Sequence, residues 1–194
     1  MRVNALLTSL FAILLAAPAS AFAQDQATGS THGGAAYSET APAPPPPGKP
    51  VVEGYRAKRL PDGTAAAPSL APPAVQQAIW AANEIVGKPY KNGGGHRRLK
   101  DSGYDCSGTI SYALAGASLL RSPLDSSSFM RWGERGKGSW ITVYTNPGHA
   151  YAVIAGLRLD TSSAGERRSS GKGPRWRTGK RKQRGYKRVH PPGY

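Results

Sequence analysis

The chain has 194 residues, with 26 Lys and Arg against 11 Asp and Glu, a formal net charge of +15 and one cysteine. A lone cysteine excludes an internal disulfide, so Cys106 is inert, joined to another chain, or a nucleophile. The length suits one small domain, and the charge directs the protein toward anionic partners such as nucleic acid, acidic phospholipid headgroups or carboxylate-rich peptides.

Residues 1–23 carry the marks of an export signal. Arg2 supplies a positive charge, residues 6–17 are apolar, and Pro18-Ala19-Ser20-Ala21-Phe22-Ala23 puts small residues where a signal peptidase cuts. Cleavage is expected after Ala23, with Ala21 as the alternative. The apolar run is too short to span a bilayer comfortably, no cysteine follows it for lipid attachment, and no other stretch is apolar enough for a membrane span. The expected location is therefore secreted or periplasmic.

Residues 24–73 are rich in Ala, Pro, Gly, Ser and Thr and include Pro44-Pro45-Pro46-Pro47. So little apolar surface does not offset the entropy of ordering, and the prolines favour an extended tether. At most, residues 51–55 dock as a short strand. Order is expected from residue 74 to the end of the chain at 194. Val75, Ile79, Ala82 and Val86 recur at helical spacing, with Pro72-Pro73 as a start and Gly87 as a stop. Lys88-Pro89-Tyr90 and Asn92-Gly93-Gly94-Gly95 force a turn and an extended loop.

A second helix is predicted from residue 105 or 106 to 119, burying Ile110, Leu114 and Ala117. Residues 139–145 alternate as a strand. Residues 150–155 give the strongest strand signal, and Gly156 turns the chain into a hairpin partner at 157–161. Residues 162–188 hold a long basic run, with a surface loop at 162–185 and a last strand at 186–190, ended by Pro191-Pro192. The expected fold is α+β, with N-terminal helices packed on a mainly antiparallel sheet.

Cys106 falls at the predicted start of the second helix. Unpaired N–H groups and the positive dipole end there favour thiolate, the reactive form of cysteine. Asp105 and Ser107 suit the helix entry, and Gly103 permits a close approach. The same N–H groups are placed to hold an oxyanion. His149 follows Asn146-Pro147-Gly148 at the entrance of the strongest strand, where an imidazole can reach a helix N-terminus packed on that sheet. The other histidines are weaker candidates: His32 lies in the tether, His96 in the Gly-rich loop and His190 before two prolines.

A third group must fix the imidazole tautomer. If Ala155-Gly156 is a two-residue turn, Ile154 pairs with Leu157 and Tyr151 with Asp160, which puts Asp160 diagonal to His149 on one face. A bulge would favour Thr161 instead. Asp160 is preferred because a carboxylate also stabilises imidazolium. No cofactor or metal is expected, since no His, Cys and carboxylate cluster has ligand spacing.

Gly87-Lys88-Pro89-Tyr90, Asn92-Gly93-Gly94-Gly95, Tyr104-Asp105-Cys106-Ser107-Gly108 and Gly148-His149 together resemble the NlpC/P60 family of cell-wall cysteine peptidases. The resemblance covers roughly residues 74–161. It implies a compact papain-like fold, Cys106 as nucleophile and His149 as base. It also implies substrate contacts at Tyr104, two places before the cysteine, and at Ser107. The family's third residue is often His, Asn or Gln, so Asp160 matches in position but not in type. Arg121-Ser122 stands near the family's usual Arg-Thr or Arg-Ser stretch, and the basic run is longer than is common. The implied reaction is hydrolysis of peptide bonds in peptidoglycan stem peptides.

The basic run, with Trp176 and Tyr186 interleaved, suits anionic wall polymer or membrane headgroups, and export argues against nucleic acid as the main partner. Rival readings are a catalytically silent wall-binding module of the same fold, a related thiol amidase or acyltransferase, and a basic nucleic-acid binder.

Overall fold

The computed structural model describes residues 47–166 and 172–194. The expected export signal at 1–23 and the first half of the expected tether lie outside them. Three short strands come first: β1 (Val51–Val52), β2 (Lys58–Arg59) and β3 (Ala65–Pro68). β3 is the middle strand, parallel to β1 and antiparallel to β2.

This overturns the expectation that order begins at residue 74. Ala65, Ala66 and Ala67 are buried, and Ala65 and Ala67 join the core with Val75, Ala78, Ile79 and Ala82. Alanine buries little area, but its small size lets the strand lie close to the helix. The remaining groups are tied by helix side chains. Asn83 accepts from the Ala65 N–H at 2.9 Å and donates to the Ala65 carbonyl at 2.8 Å. Trp80 Nε1 donates to the Pro50 carbonyl at 3.0 Å. Composition misses these bonds because each is made across 18 or more positions of chain.

Helix α1 (Pro73–Ile85) starts on Pro72 and stops before Gly87, whose φ of +92° suits glycine alone. Helix α2 (Cys106–Gly116) ends earlier than predicted. Ser118 takes a left-handed φ of +58° and the Leu119 N–H reaches back to the Leu114 carbonyl at 2.9 Å, a Schellman-type stop. The helices pack closely where a Cβ on Gly116 would lie 2.3 Å from Ala81 Cβ. A short α3 (Ser126–Phe129), capped by Asp125, follows.

The main sheet has six antiparallel strands. They are β4 (Glu134–Arg135), β5 (Ile141–Asn146), β6 (His149–Ile154), β7 (Leu157–Leu159), β8 (Trp176–Arg177) and β9 (Lys187–His190), in the order β4-β9-β5-β6-β7-β8. The fold is thus α+β, with α1 and α2 against one face. Val143 and Ile141, Ala150, Ala152 and Ile154, Leu157 and Leu159, Trp176 and Val189 all enter that core. β8 corrects the expected surface loop. Trp176 is buried and its Nε1 donates to Asn83 at 2.7 Å, while Arg177 is buried and its Nε donates to the Asp160 carbonyl at 2.9 Å. Hydrophobic alternation does not mark a two-residue strand in a basic segment. Among the described residues no helix is long and apolar enough to cross a membrane.

Candidate active site

Two elements bring the chemistry together. At the start of α2, Asp105 is the N-cap and its Oδ1 accepts the Gly108 N–H at 2.7 Å. The Asp105 carbonyl takes the Thr109 N–H, so the cap uses neither the Cys106 nor the Ser107 N–H. The Gly-rich loop lies directly on this turn: a Cβ on Gly108 would fall 2.0 Å from the Gly94 carbonyl oxygen. Asp105 Oδ2 also accepts the Gly93 N–H at 3.1 Å. The glycines are therefore needed for close approach of backbone to backbone.

β5 and β6 are joined by Pro147-Gly148, with Asn146 Oδ1 accepting the Gly148 and His149 N–H groups at 2.9 Å each. The next turn follows the predicted register. Ala155 and Gly156 have φ of +47° and +82°, as a type I′ turn requires, and Ile154 pairs with Leu157. Asp160 consequently meets His149, with Oδ1 3.0 Å from Nε2. That leaves Nδ1 unused by Asp160, and the Cys106 thiol lies close enough to the imidazole for each group to shift the other's pKa.

Asp160 is 1% exposed and is held on every side. Oδ1 also takes the Ser162 N–H at 2.9 Å, and Oδ2 lies 3.2 Å from Arg181 Nη1 and 3.7 Å from Arg158 Nε. Arg181 further donates to Tyr186 Oη at 3.0 Å and lies over the rings of Tyr151 and Tyr186. Tyr186 in turn meets the His149 ring edge-on, centroids 6.4 Å apart. Spacing alone leaves open a pairing of Asp160 with Arg158 or a tail arginine as the alternative to His149; in the structure Asp160 meets His149, Arg158 and Arg181 together.

The electrostatics favour an ion pair. Burial works against a charged His149, yet its hydrogen bonds to Asp160 and Cys106 and the negative charge of both hold the imidazole pKa up at about 9. Burial likewise pushes the Cys106 thiol up, with a smaller push from Asp105. The His149 hydrogen bond, the Ala150 N–H and the imidazolium charge outweigh these and leave the thiol below its ordinary value. Thiolate and imidazolium are thus mutually stabilised, the state from which a cysteine attacks a carbonyl.

Two expected substrate contacts are placed elsewhere. Tyr104 is fully buried; its hydroxyl donates to the Leu99 carbonyl at 2.8 Å and accepts the Asp101 N–H at 3.0 Å, so it braces the loop. Ser107 is also buried, with its hydroxyl on Asp105 and His96. The aromatic at the cleft is Tyr90, 44% exposed and close enough to Cys106 and Asp105 for their charges, with burial the larger cause, to raise its pKa. Tyr90 bridges to Tyr104 in the backbone, which explains how one replaces the other. With His149, Thr161, Ser162, Ser163 and Lys172 it lines a cleft of about 330 Å³.

Ser107, His96 and Asp105 are not a second triad. Both Ser107 Oγ and Asp105 contact the same nitrogen, Nε2, at 3.2 and 2.9 Å, whereas a relay needs both ring nitrogens. His190 bonds the Pro191 carbonyl, and His32 lies outside the described residues. Among the described residues no group of three or more His, Cys, Asp or Glu side chains is placed to hold a metal ion. No protein-family model matches the chain, and no curated protein matches it.

Proposed function

We propose that this protein is an exported cysteine hydrolase of papain-like, NlpC/P60 type that cleaves peptide bonds in peptidoglycan stem peptides. The observation that carries this reading is the His149 ring, bonded by Asp160 through Nε2 and close enough to the helix-N-terminal Cys106 thiol to lower its pKa. The Cys106 thiolate attacks the scissile carbonyl carbon, and the carbonyl π electrons move to oxygen. The N–H groups at the start of α2 stabilise that oxyanion, with Tyr90 at its side. Collapse breaks the C–N bond, and the imidazolium proton passes from His149 to the leaving amine. Water, deprotonated by the now neutral His149, attacks the thioester. The second tetrahedral intermediate expels the Cys106 thiolate, which pairs again with imidazolium.

The choice of substrate rests on the sequence resemblance and on the expected export. It is tested by incubating purified wall sacs with the native chain and with Cys106→Ala. The native chain is expected to release soluble peptide fragments, and the variant to be slower by about three orders of magnitude or more. Equal lysis by the variant rejects covalent catalysis. Mass spectra decide the bond: intact stem peptides freed from sugar would indicate an amidase, and cleaved stems an endopeptidase.

A further inference from the structure

A second concavity of about 440 Å³ lies beyond Tyr186 from His149, lined by Ala164, Gly165, Lys180, Arg181, Lys182, Arg184 and Tyr186. Four of these side chains are cations and none is an acid. Lys180, Lys182 and Arg184 are exposed, and among the described residues none of the three makes an ion pair.

The cations are displayed on a braced frame. A Cβ on Gly165 would fall 2.1 Å from the Lys180 carbonyl oxygen, and one on Gly179 2.5 Å from that of Gly165. The two limbs of the segment therefore touch backbone to backbone. Arg158 Nη1 donates to the Ala164 carbonyl at 2.8 Å, and Arg177 pairs with Glu166 beneath. Arg181 forms the inner wall, already shared between Asp160 and Tyr186.

We propose that this pocket binds a phosphate-bearing, base-free polymer. Three unpaired cations around one concavity exceed what a single carboxylate neutralises and suit an anion of repeated charge. A nucleic acid would need an exposed ring to stack on. The one aromatic here, Tyr186, is packed edge-on against Tyr151 at 5.2 Å and bonded to Arg181. A membrane surface would need apolar side chains to insert beside the charges; the only uncharged lining residues besides Tyr186 are Ala164 and Gly165. The proposal does not rest on the chemistry of Cys106, so it is tested on the full chain carrying Cys106→Ala.

The probe is a synthetic poly(glycerol phosphate) chain, titrated by calorimetry at two salt concentrations. Affinity is expected to fall about tenfold or more when salt rises fourfold. Adding K180E, K182E and R184E together is expected to weaken binding about thirtyfold or more, with thermal unfolding showing that these exposed changes leave the fold intact. Adding R97E, R98E and K100E instead, after the Gly-rich loop, is expected to change it less than about threefold, since none of the three lines the pocket. Undiminished binding in the first set, or equal loss in the second, overturns the pocket assignment. Equal or tighter binding of a single-stranded oligonucleotide, or of vesicles containing anionic phospholipid, overturns the choice of a base-free polymer.

Discussion

At the residue scale the chemistry turns on which charges surround one imidazole. Asp160 and the Cys106 sulfur hold His149 protonated up to about pH 9, while His149 and the Ala150 N–H lower the thiol. The pair therefore exists between the lowered thiol pKa, below which the sulfur is protonated, and about 9, above which imidazolium loses its proton. The proposed hydrolysis should rise through the first and fall through the second. Cys106 alkylation by iodoacetamide, which needs only thiolate, should reach its plateau at a lower pH than an ordinary thiol and fall below that as the sulfur protonates. Asp160→Asn removes the carboxylate that favours imidazolium, so the His149 pKa falls and the thiol pKa rises. Alkylation measured on the acid side of the thiol pKa should then slow by about tenfold for a one-unit shift. An unchanged rate profile would show that Asp160 does not tune the pair. Cys106, His149 and Asp160 are all legible in the sequence, because a helix start, a strand start and a two-residue turn fix them locally. Tyr90 is misassigned in favour of Tyr104, because both flank the Gly-rich loop and only burial tells the exposed ring from the buried one.

At the element scale the site depends on how closely the Gly-rich loop lies on the first turn of α2. Gly108→Ala would press a methyl group into the Gly94 carbonyl, a contact between two backbones with no flexible side chain to yield. The expected cost is about 1–3 kcal/mol, seen as a lower unfolding midpoint, with thiol reactivity falling as the turn that carries Cys106 shifts. A variant as stable and reactive as the native chain would show that the loop moves freely off the helix. The elements with periodic apolar faces, α1, α2, β5 and β6, are legible in advance. β2, β3, β4, α3 and β8 are short, and alanine-rich or polar, and β1 is only two valines in the stretch expected at most to dock as a short strand; Asn83 and Trp80 tie the first strands to α1, Asn83 and the Asp160 carbonyl hold β8, Thr145 holds α3 and β9 pairs β4.

At the scale of the whole molecule, the stretch before α1 belongs to the core. Starting the chain at residue 74 would expose the face that Ala65 and Ala67 cover and leave Asn83 without its two Ala65 backbone partners. A chain starting at residue 47 should unfold cooperatively near the midpoint of the full chain. The shorter one should lose several kcal/mol, since it loses both the apolar contacts and the satisfied amide. Equal midpoints would return residues 47–73 to the role of a tether. The C-terminal stretch is bound in the same way: β9 lies between β4 and β5, and Arg181 brings the basic run to Asp160.

Read alone, the residues settle the α+β class, the two long helices and the central hairpin, and give its register on condition of a two-residue turn, which the structure has. Each of these follows from neighbours along the chain, through periodicity, capping and turn chemistry. Folding in space settles the rest: that alanines before the first helix are core, that basic residues near the end brace the carboxylate, and which tyrosine faces the cleft. Those outcomes depend on polar groups meeting across tens of residues and on the burial that meeting creates, and local composition carries no trace of either.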